Sequence, residues 1–516
     1  MIARVQSYAL TGLEGVPVTV ETDISKGLPA FEMVGLPDAA VKESKERVKS
    51  AIKNSGLDFP AHRITVNFAP AYVKKEGSAF DLPTAVSILL AYGDLQTANK
   101  ETVAETVFLG ELALNGELRA VTGVLPALIS ARERGVKSFV VPFENAKEAG
   151  FIRGVNVYAA KNLKEVVDHL SGLVPISPLP PSNFSPEQGE KRSSDMAYIK
   201  GQPLAKRALE VAVAGGHNIL FVGPPGSGKT MLARAIPSVL PDMSFDEALE
   251  ITKIHSVAGV LGEAGIVTER PFRTPHHTAT TVSLCGGGNK SVHPGEISLA
   301  HGGVLFLDEL PEYKRSSLEA LRQPLEDGVI TISRAGGTAT YPASFMLCAS
   351  MNPCPCGNYG SSAKKCTCTP NDIRRYRARI SGPLLDRIDI QVEVDNVKYD
   401  DLVSTEKEES SEAVKARTDR ARAIQRERFA GSGISTNSEM GEKEQRAYCA
   451  LSPECSAILK ESFENLKLSA RARARILKVA RTIADLDYSE RIEPEHLYEA
   501  ISYRTYGAAQ NNDDLI

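Results

Sequence analysis

Three short apolar runs stand out along the chain: ILFV at 219–222, VLFL at 304–307 and FMLCASM at 345–351. Each is bounded by Gly, Ser, Asn or Asp, and none alternates apolar with polar residues. Runs of this length and character predict strands buried on both faces, as in a parallel sheet covered by helices. The stretches between them carry helical spacing, MLARAIPSVL after the first run being an example. Residues 195–395 therefore read as a doubly wound parallel α/β core. Residues 1–172 mix β-like runs (VPVTVETDI, ITVNFAP, FVVP, VNVYAA) with helical stretches such as DAAVKESKERVKSAIKNSG and PTAVSILLAYG, which predicts a separate, mixed α and β domain. Residues 396–516 lose the strand signal: 400–428 is helical and charge-rich, and 453–507 reads as several helices. Between the first two regions lies SGLVPISPLPPSNFSPEQGEKRSS, 171–194, with five prolines and six serines in 24 residues. Such a segment sustains neither a helix nor a central strand, so 173–194 is expected to be an extended linker.

Composition narrows the function classes. The 516 residues are 42% hydrophobic and 24% charged, ordinary values for a chain that buries real cores. With 60 Lys and Arg against 64 Asp and Glu the formal net charge is −4, so any nucleic-acid site has to be a local patch. No apolar run approaches the roughly 18 residues of a bilayer span, and the start MIARVQSYALTGLEG lacks the pattern of a secretory leader. Only eight cysteines occur, four of them crowded between 354 and 368, which is not a disulfide scaffold. A cytoplasmic protein without membrane partners is expected.

The strongest chemical signal is GPPGSGKT: Gly223, Pro224, Pro225, Gly226, Ser227, Gly228, Lys229 and Thr230. It follows a predicted strand and opens a predicted helix, the context a phosphate-binding loop requires. Its glycines let backbone N–H groups turn toward an anion, and the helix adds its positive N-terminal end. Lys229 is expected to reach the β- and γ-phosphates of ATP, and Thr230 to hold Mg²⁺. About 80 residues on, the run VLFL ends in Asp308 and Glu309. A phosphate-bound metal needs a carboxylate, and an attacking water needs an acceptor to orient it. Asp308 suits the first task and Glu309 the second. The run FMLCASM ends in Asn352, whose amide can contact the γ-phosphate or the same water.

These residues sit in longer segments, PGEISLAHGGVLFLDELPE, MNPCPCG, SGPLLDRIDI and LSARARARILKVARTIADL, and with GLPAFEMVGLPDAAVKESKERV near the N-terminus they resemble the magnesium-chelatase-like AAA+ ATPases of bacteria, in the competence-associated branch. The resemblance runs almost end to end. It implies a ring, a homo-hexamer, with ATP bound between neighbouring subunits and a C-terminal helical lid. It gives Lys229, Thr230, Asp308, Glu309 and Asn352 the roles just argued. It adds Arg387, in LLDRID, as the arginine finger for the neighbour's ATP, and Arg471, in SARAR, as the sensor arginine of the lid, with Arg473 as the alternative. From charge alone either arginine is equally a surface residue. The work implied is translocation on single-stranded or branched DNA, with branch migration in natural transformation or recombination. The alternative is the ATPase subunit of a machine that inserts Mg²⁺ into a porphyrin. The N-terminal domain is expected to separate the two, because chelatase ATPase subunits generally begin close to the P-loop module.

Two insertions bear on DNA. PFRTPHHTATTVSLCGGGNKSVHPGE carries three successive glycines, as a mobile loop would, and Lys290. EDGVITISRAGGTATYPASF reads as a hairpin with Arg334 beside its turn. Similar hairpins in related hexameric helicases carry a basic residue to the central channel, so the resemblance implies DNA contact by Arg334 and Lys290; an ordinary exposed hairpin arginine is the alternative. Residues 467–481 hold six Lys and Arg and no acid, and 415–428 hold six against two. Such helices either track a phosphate backbone or meet acidic partners on the neighbouring subunit or within 400–412. His276 and His277 fit a loop near DNA or a subunit interface better than a metal site.

In the N-terminal domain, VFLGELALNGELRAVTGVLPALISARERG, 107–135, resembles the ribosomal-S5-like domain of Lon-type proteases. A Lon-type peptidase needs a serine and a lysine within hydrogen-bond reach. The lysine position offers Leu125 and Pro126, and Ser78 lacks the glycine-flanked context, so the domain reads as peptidase-dead. Lys74 and Lys75 are candidate DNA contacts, with solvated lysines as the alternative. Finally Cys354, Cys356, Cys366 and Cys368 form C-x-C-x9-C-x-C. Four soft ligands across a short loop suit a tetrathiolate Zn²⁺ site, with reduced structural thiols or a redox pair as alternatives.

Overall fold

The computed structural model describes residues 2–95, 103–186, 194–288, 292–334, 337–361, 364–397, 399–403, 408–466 and 468–504. The three apolar runs become buried parallel strands, as their pattern predicts: Ile219–Val222, Val304–Leu307 and Met346–Met351. Two edge strands that the pattern does not single out complete a five-stranded sheet, Phe272–Arg273 beside Val304–Leu307 and Ile390–Glu393 beside Ile219–Val222. All its neighbouring pairs are parallel. With helices on both faces, every strand end carrying chemistry opens at the same C-terminal edge, where ligands sit in such sheets.

The N-terminal region builds a seven-stranded mixed sheet. Ile2–Thr11, Glu14–Ser25 and Arg63–Ala69 run antiparallel in turn, and the remaining pairings are parallel. The helices Ala39–Asn54 and Asp81–Tyr92 cover it, the second buried along almost its whole length. The Pro- and Ser-rich segment forms neither helix nor strand over its described part, and it is tied down. Its backbone amides at Ile176, Leu179 and Ser182 donate to His169 Nδ1, the Val157 carbonyl and the Gly150 carbonyl. Phe184 then packs on Phe245, at 5.8 Å between ring centroids. Ser256 of the core donates to the buried Glu148 at 2.8 Å, so the N-terminal sheet domain is joined to the core by more than chain continuity.

The C-terminal region is helical: Ser411–Arg428, Pro453–Asn465, Ala470–Leu486 and Pro494–Ser502. Part of the positive charge of its basic helices is paired within the protomer. Arg428 grips the buried Asp485 through both nitrogens at 2.5 and 2.7 Å, Arg481 donates to the same carboxylate, Arg475 pairs with Asp389 at 2.6 Å, and Arg417 pairs with Glu210 and Glu409. Burying arginines is tolerable only with such partners. Among the described cations of 467–481, Arg475, Lys478 and Arg481 have partners inside the protomer, and Arg471 and Arg473 are exposed. Lys75 departs from expectation altogether: it is fully buried, its ammonium donating to the carbonyls of Gly35 and Pro70, and it presents nothing to DNA. Among the described residues no helix is long and apolar enough to cross a membrane.

Candidate nucleotide site

The strand Ile219–Val222 runs directly into the glycine loop, and the helix Lys229–Val239 starts at its end. Gly226 and Gly228 take left-handed φ angles of 81° and 94°, and a Cβ at either would meet nothing within 4 Å, so the loop borders open space at both positions. The Lys229 ammonium is buried there. It donates to the carbonyls of Gly223 (2.7 Å) and Pro224 (2.8 Å) and to Asn352 Oδ1 (3.3 Å). Ser227 Oγ is buried with no hydrogen-bond partner among the described residues. A cation folded onto its own loop, an orphaned hydroxyl and an open cradle fit a phosphate chain.

Asp308 and Glu309 leave the next strand at the same edge. Asp308 Oδ2 accepts from Thr230 Oγ1 at 3.1 Å, and Oδ1 accepts from Ser350 Oγ and from the Glu309 amide. Thr230 and Asp308 thus offer adjacent hard oxygen donors, a set that suits Mg²⁺. Glu309 has a left-handed backbone (φ 53°, ψ 50°), unusual for a side-chain-bearing residue and typical of functional strain. That twist leaves its carboxylate more than half exposed, 3.7 Å from His277 Nδ1. His277 follows the edge strand Phe272–Arg273, held near by the Tyr313 hydroxyl, which donates to the Pro275 carbonyl at 2.5 Å. The histidine pair thus includes a neighbour of the acidic residue, a placement that sequence reasoning missed. Ser350 was missed too, although it is a polar residue in an apolar strand, two before Asn352, and so on the same face.

Burial pushes the Lys229 ammonium down to about 8, and the charges of Asp308 and Glu309 offset this only in part. Nucleotide phosphates favour the charged lysine, so affinity is full below pH 8 and falls as the nucleotide-free lysine loses its proton above it. A titration of a non-hydrolysable ATP analogue should weaken about tenfold between pH 7 and pH 9. Calorimetry in buffers of different ionisation heat should show net proton uptake near pH 8. A flat affinity with no uptake would assign the phosphate contact elsewhere.

Arg387 lies at the opposite end of the P-loop strand, with Arg471 near it. Asn218 precedes the P-loop strand, and its side chain donates to the Arg387 carbonyl at 2.9 Å and accepts from the Leu347 amide at 2.8 Å. Four residues of strand, roughly 13 Å, separate that end from Gly223. Arg387 is 6% exposed and paired with Glu326, and exposed Arg471 comes within 3.9 Å of the same carboxylate. Both line a cavity of about 530 Å³ between core and lid, together with Arg475 and Lys478. Arg473 is exposed on the same helix but does not line that cavity.

The predicted hairpin is present: Val329–Arg334 pairs antiparallel with Gly337–Pro342. Ile330, Ile332, Ala339 and Tyr341 anchor it, and the Tyr341 hydroxyl donates to the Val292 carbonyl at 2.6 Å. Arg334 ends the first strand, next to the tip residues 335–336, which lie outside the described residues, as does Lys290. The triple-glycine segment is structured in its described part, where Gly286–Gly287 pairs with His293–Pro294. The four cysteine sulfurs of 354–368 lie within 4.8 Å of one another, immediately after Asn352.

Comparison with known proteins agrees with this geometry. Residues 195–402 match a family described as magnesium chelatase, subunit ChlI, residues 408–504 its C-terminal family, and residues 20–145 a family described as subunit ChlI of Mg-chelatase. The chain is 44% identical to YifB of Escherichia coli over 98% of its own length and 97% of the relative's. It is 43% identical to competence protein ComM of Haemophilus influenzae, again over 98% and 97%. Its likeness to the magnesium-chelatase 67 kDa subunit of Chlorobaculum parvum is narrower, 29% over 161 residues and 23% of that protein. Parallel core sheet, P-loop, acidic strand end and near full-length relatives together assign the chain to the magnesium-chelatase-like AAA+ ATPase family, in the subfamily of ComM and YifB.

Proposed function

We propose that this protein is a ring-forming ATPase, a homo-hexamer, that couples ATP hydrolysis to movement along single-stranded or branched DNA, with branch migration during transformation or recombination as its work. The observation that carries the ring is the separation of the arginines from the P-loop by the length of a strand. The Arg387 carbonyl is bonded to Asn218, at the end of the P-loop strand away from Gly223, and Arg471 meets the same Glu326, a placement that favours service to ATP across a subunit boundary, with the cavity they line as the place where a neighbour's nucleotide edge would enter. Arg387 must then exchange Glu326 for the incoming phosphates.

Within one site the roles follow from distances and charge. Lys229 leaves the loop carbonyls for the β- and γ-phosphates, and Asn352, already 3.3 Å from its ammonium, is in position for the γ-phosphate. Thr230 and Asp308 would hold Mg²⁺, which when bound neutralises phosphate charge and orients the β- and γ-oxygens. Glu309 accepts the proton of a water whose oxygen attacks the γ-phosphorus as the bond to ADP breaks. Ser350 and the Glu309 amide keep Asp308 oriented toward Thr230.

The DNA half of the reading rests on the hairpin, whose buried face fixes it to the core while Arg334 stands beside its tip. Some of the lid's basic residues are paired inside the protomer, which leaves the hairpin as the preferred DNA contact beside the lid's exposed Arg471 and Arg473. The N-terminal domain is read as a peptidase-dead S5-like platform: the Ser78 hydroxyl donates to Glu111, and Leu125 is buried in an apolar cluster. The deciding experiment measures the ATPase rate with single-stranded DNA, forked DNA or a tetrapyrrole added. Stimulation by DNA, lost in Arg334→Ala, is expected. Stimulation by the tetrapyrrole alone would instead make the protein a chelatase-type motor.

A further inference from the structure

We propose that Cys354, Cys356, Cys366 and Cys368 form a tetrathiolate site for a soft divalent ion of the zinc class, and that loading it clamps the Asn352 loop onto the P-loop. The second half rests on the nucleotide reading above; the first does not.

The sulfur geometry is that of a coordination sphere. Cys354 Sγ lies 3.4 Å from Cys356 Sγ and 3.7 Å from Cys366 Sγ, and the latter two are 3.6 Å apart. A tetrahedron with metal–sulfur bonds of about 2.3 Å has edges of roughly 3.8 Å. Disulfide sulfurs approach to about 2.05 Å, and all four cysteines are free. Thiols buried only for packing lie among aliphatic groups, whereas here three of the four are partly exposed and converge on one another. Two sulfurs also accept backbone N–H groups, Cys354 from Tyr359 at 3.3 Å and Cys368 from Cys356 at 3.4 Å. Amide donors aimed at sulfur stabilise thiolates, the form that binds metal. Lys364 and Lys365 precede Cys366 and place positive charge in the same short loop against the negative charge of four thiolates.

The loop is wedged against the nucleotide site. Gly357 has φ 79°, and a Cβ there would lie 2.4 Å from Pro225 Cδ, so its bare backbone rests on the glycine loop itself. Asn352, two residues before Cys354, reaches Lys229. On the far side Thr369 caps the helix Pro370–Arg377, whose Arg377 donates to the Pro353 carbonyl at 3.3 Å and stacks over Tyr359. A metal joining Cys354 and Cys356 to Cys366 and Cys368 therefore ties the strand that ends in Asn352 to the helix that follows. Without it, the chain after Asn352 is held by the Arg377 and Pro225 contacts, while Asn352 itself keeps its place at the end of its strand and its contact to Lys229.

The test uses the full chain purified without chelator. About one zinc per chain is expected by elemental analysis, falling to near zero in the Cys366→Ser/Cys368→Ser double variant. Replacement of zinc by Co²⁺ in the wild-type protein should give the visible absorption of tetrahedral thiolate cobalt, a readout that survives if the variant folds poorly. Well under one zinc with no such cobalt spectrum overturns the site. Removing the metal should weaken binding of a fluorescent ATP analogue at least about fivefold, reversed by adding zinc back. Unchanged affinity in the metal-free protein overturns the clamp. Failure of the metal-loaded protein to bind the analogue at all would count against the nucleotide reading, since the stoichiometry is measured independently of it.

Discussion

Glu309→Gln should leave ATP bound and stop its hydrolysis, with turnover falling about 10²- to 10⁴-fold while affinity stays within about threefold. The amide keeps the size of the carboxylate, so the strained left-handed backbone at this position need not change. What it loses is the ability to take a proton from water. Lys229, proposed for the phosphates, and Thr230 and Asp308, proposed for Mg²⁺, make their present contacts without the Glu309 carboxylate; the link from Glu309 to Asp308 is through the backbone amide, which glutamine retains. Phosphate release and an equilibrium titration on the same preparation separate the two effects. A variant that hydrolyses ATP at the wild-type rate would reduce Glu309 to a solvated turn residue.

The second large effect is expected at Arg387. Arg387→Ala should lower turnover about 10³- to 10⁵-fold if the guanidinium meets a neighbour's transition state. Because the side chain is nearly buried against Glu326, loss of rate alone could reflect damage to the core–lid junction, so the informative measurement is mixing. Rings made from Arg387→Ala and Lys229→Ala subunits contain junctions where an intact P-loop meets an intact arginine. Each variant alone should be inactive, and the mixture should recover part of the wild-type rate. Mixtures that stay inactive, although native gels show the subunits exchanging, would refute action across the boundary.

Local pattern carried a large part of this molecule. The P-loop strand, the acidic strand and the strand ending in Asn352 are legible because burial on both faces demands uninterrupted apolar residues, and glycines before a helix mark a loop that must approach an anion. The hairpin of 329–342 is legible for a similar reason, two β-rich runs around a glycine turn. The edge strands Phe272–Arg273 and Ile390–Glu393 were not visible, since two to four residues leave no periodicity to read and take their conformation from the strand beside them.

Charge was the least legible property, because a sequence counts charges without saying which pairs close. The lid helices look like a phosphate-tracking surface until Asp389, Asp485 and Glu210 come to meet their arginines from distant parts of the chain. Lys75 looks like a surface lysine until two backbone carbonyls take its ammonium inside. Ser350 and Glu326 acquire meaning only from the residues folded against them. The order of residues by itself thus determined the layers of the fold, the phosphate loop and the identities of its acidic partners, since those depend on neighbours along the chain. Which acid Arg387 and Arg471 share, which cations are paired internally, and that four sulfurs meet at one point beside Asn352 were decided only by tertiary structure, because each depends on a distance between segments far apart in the chain.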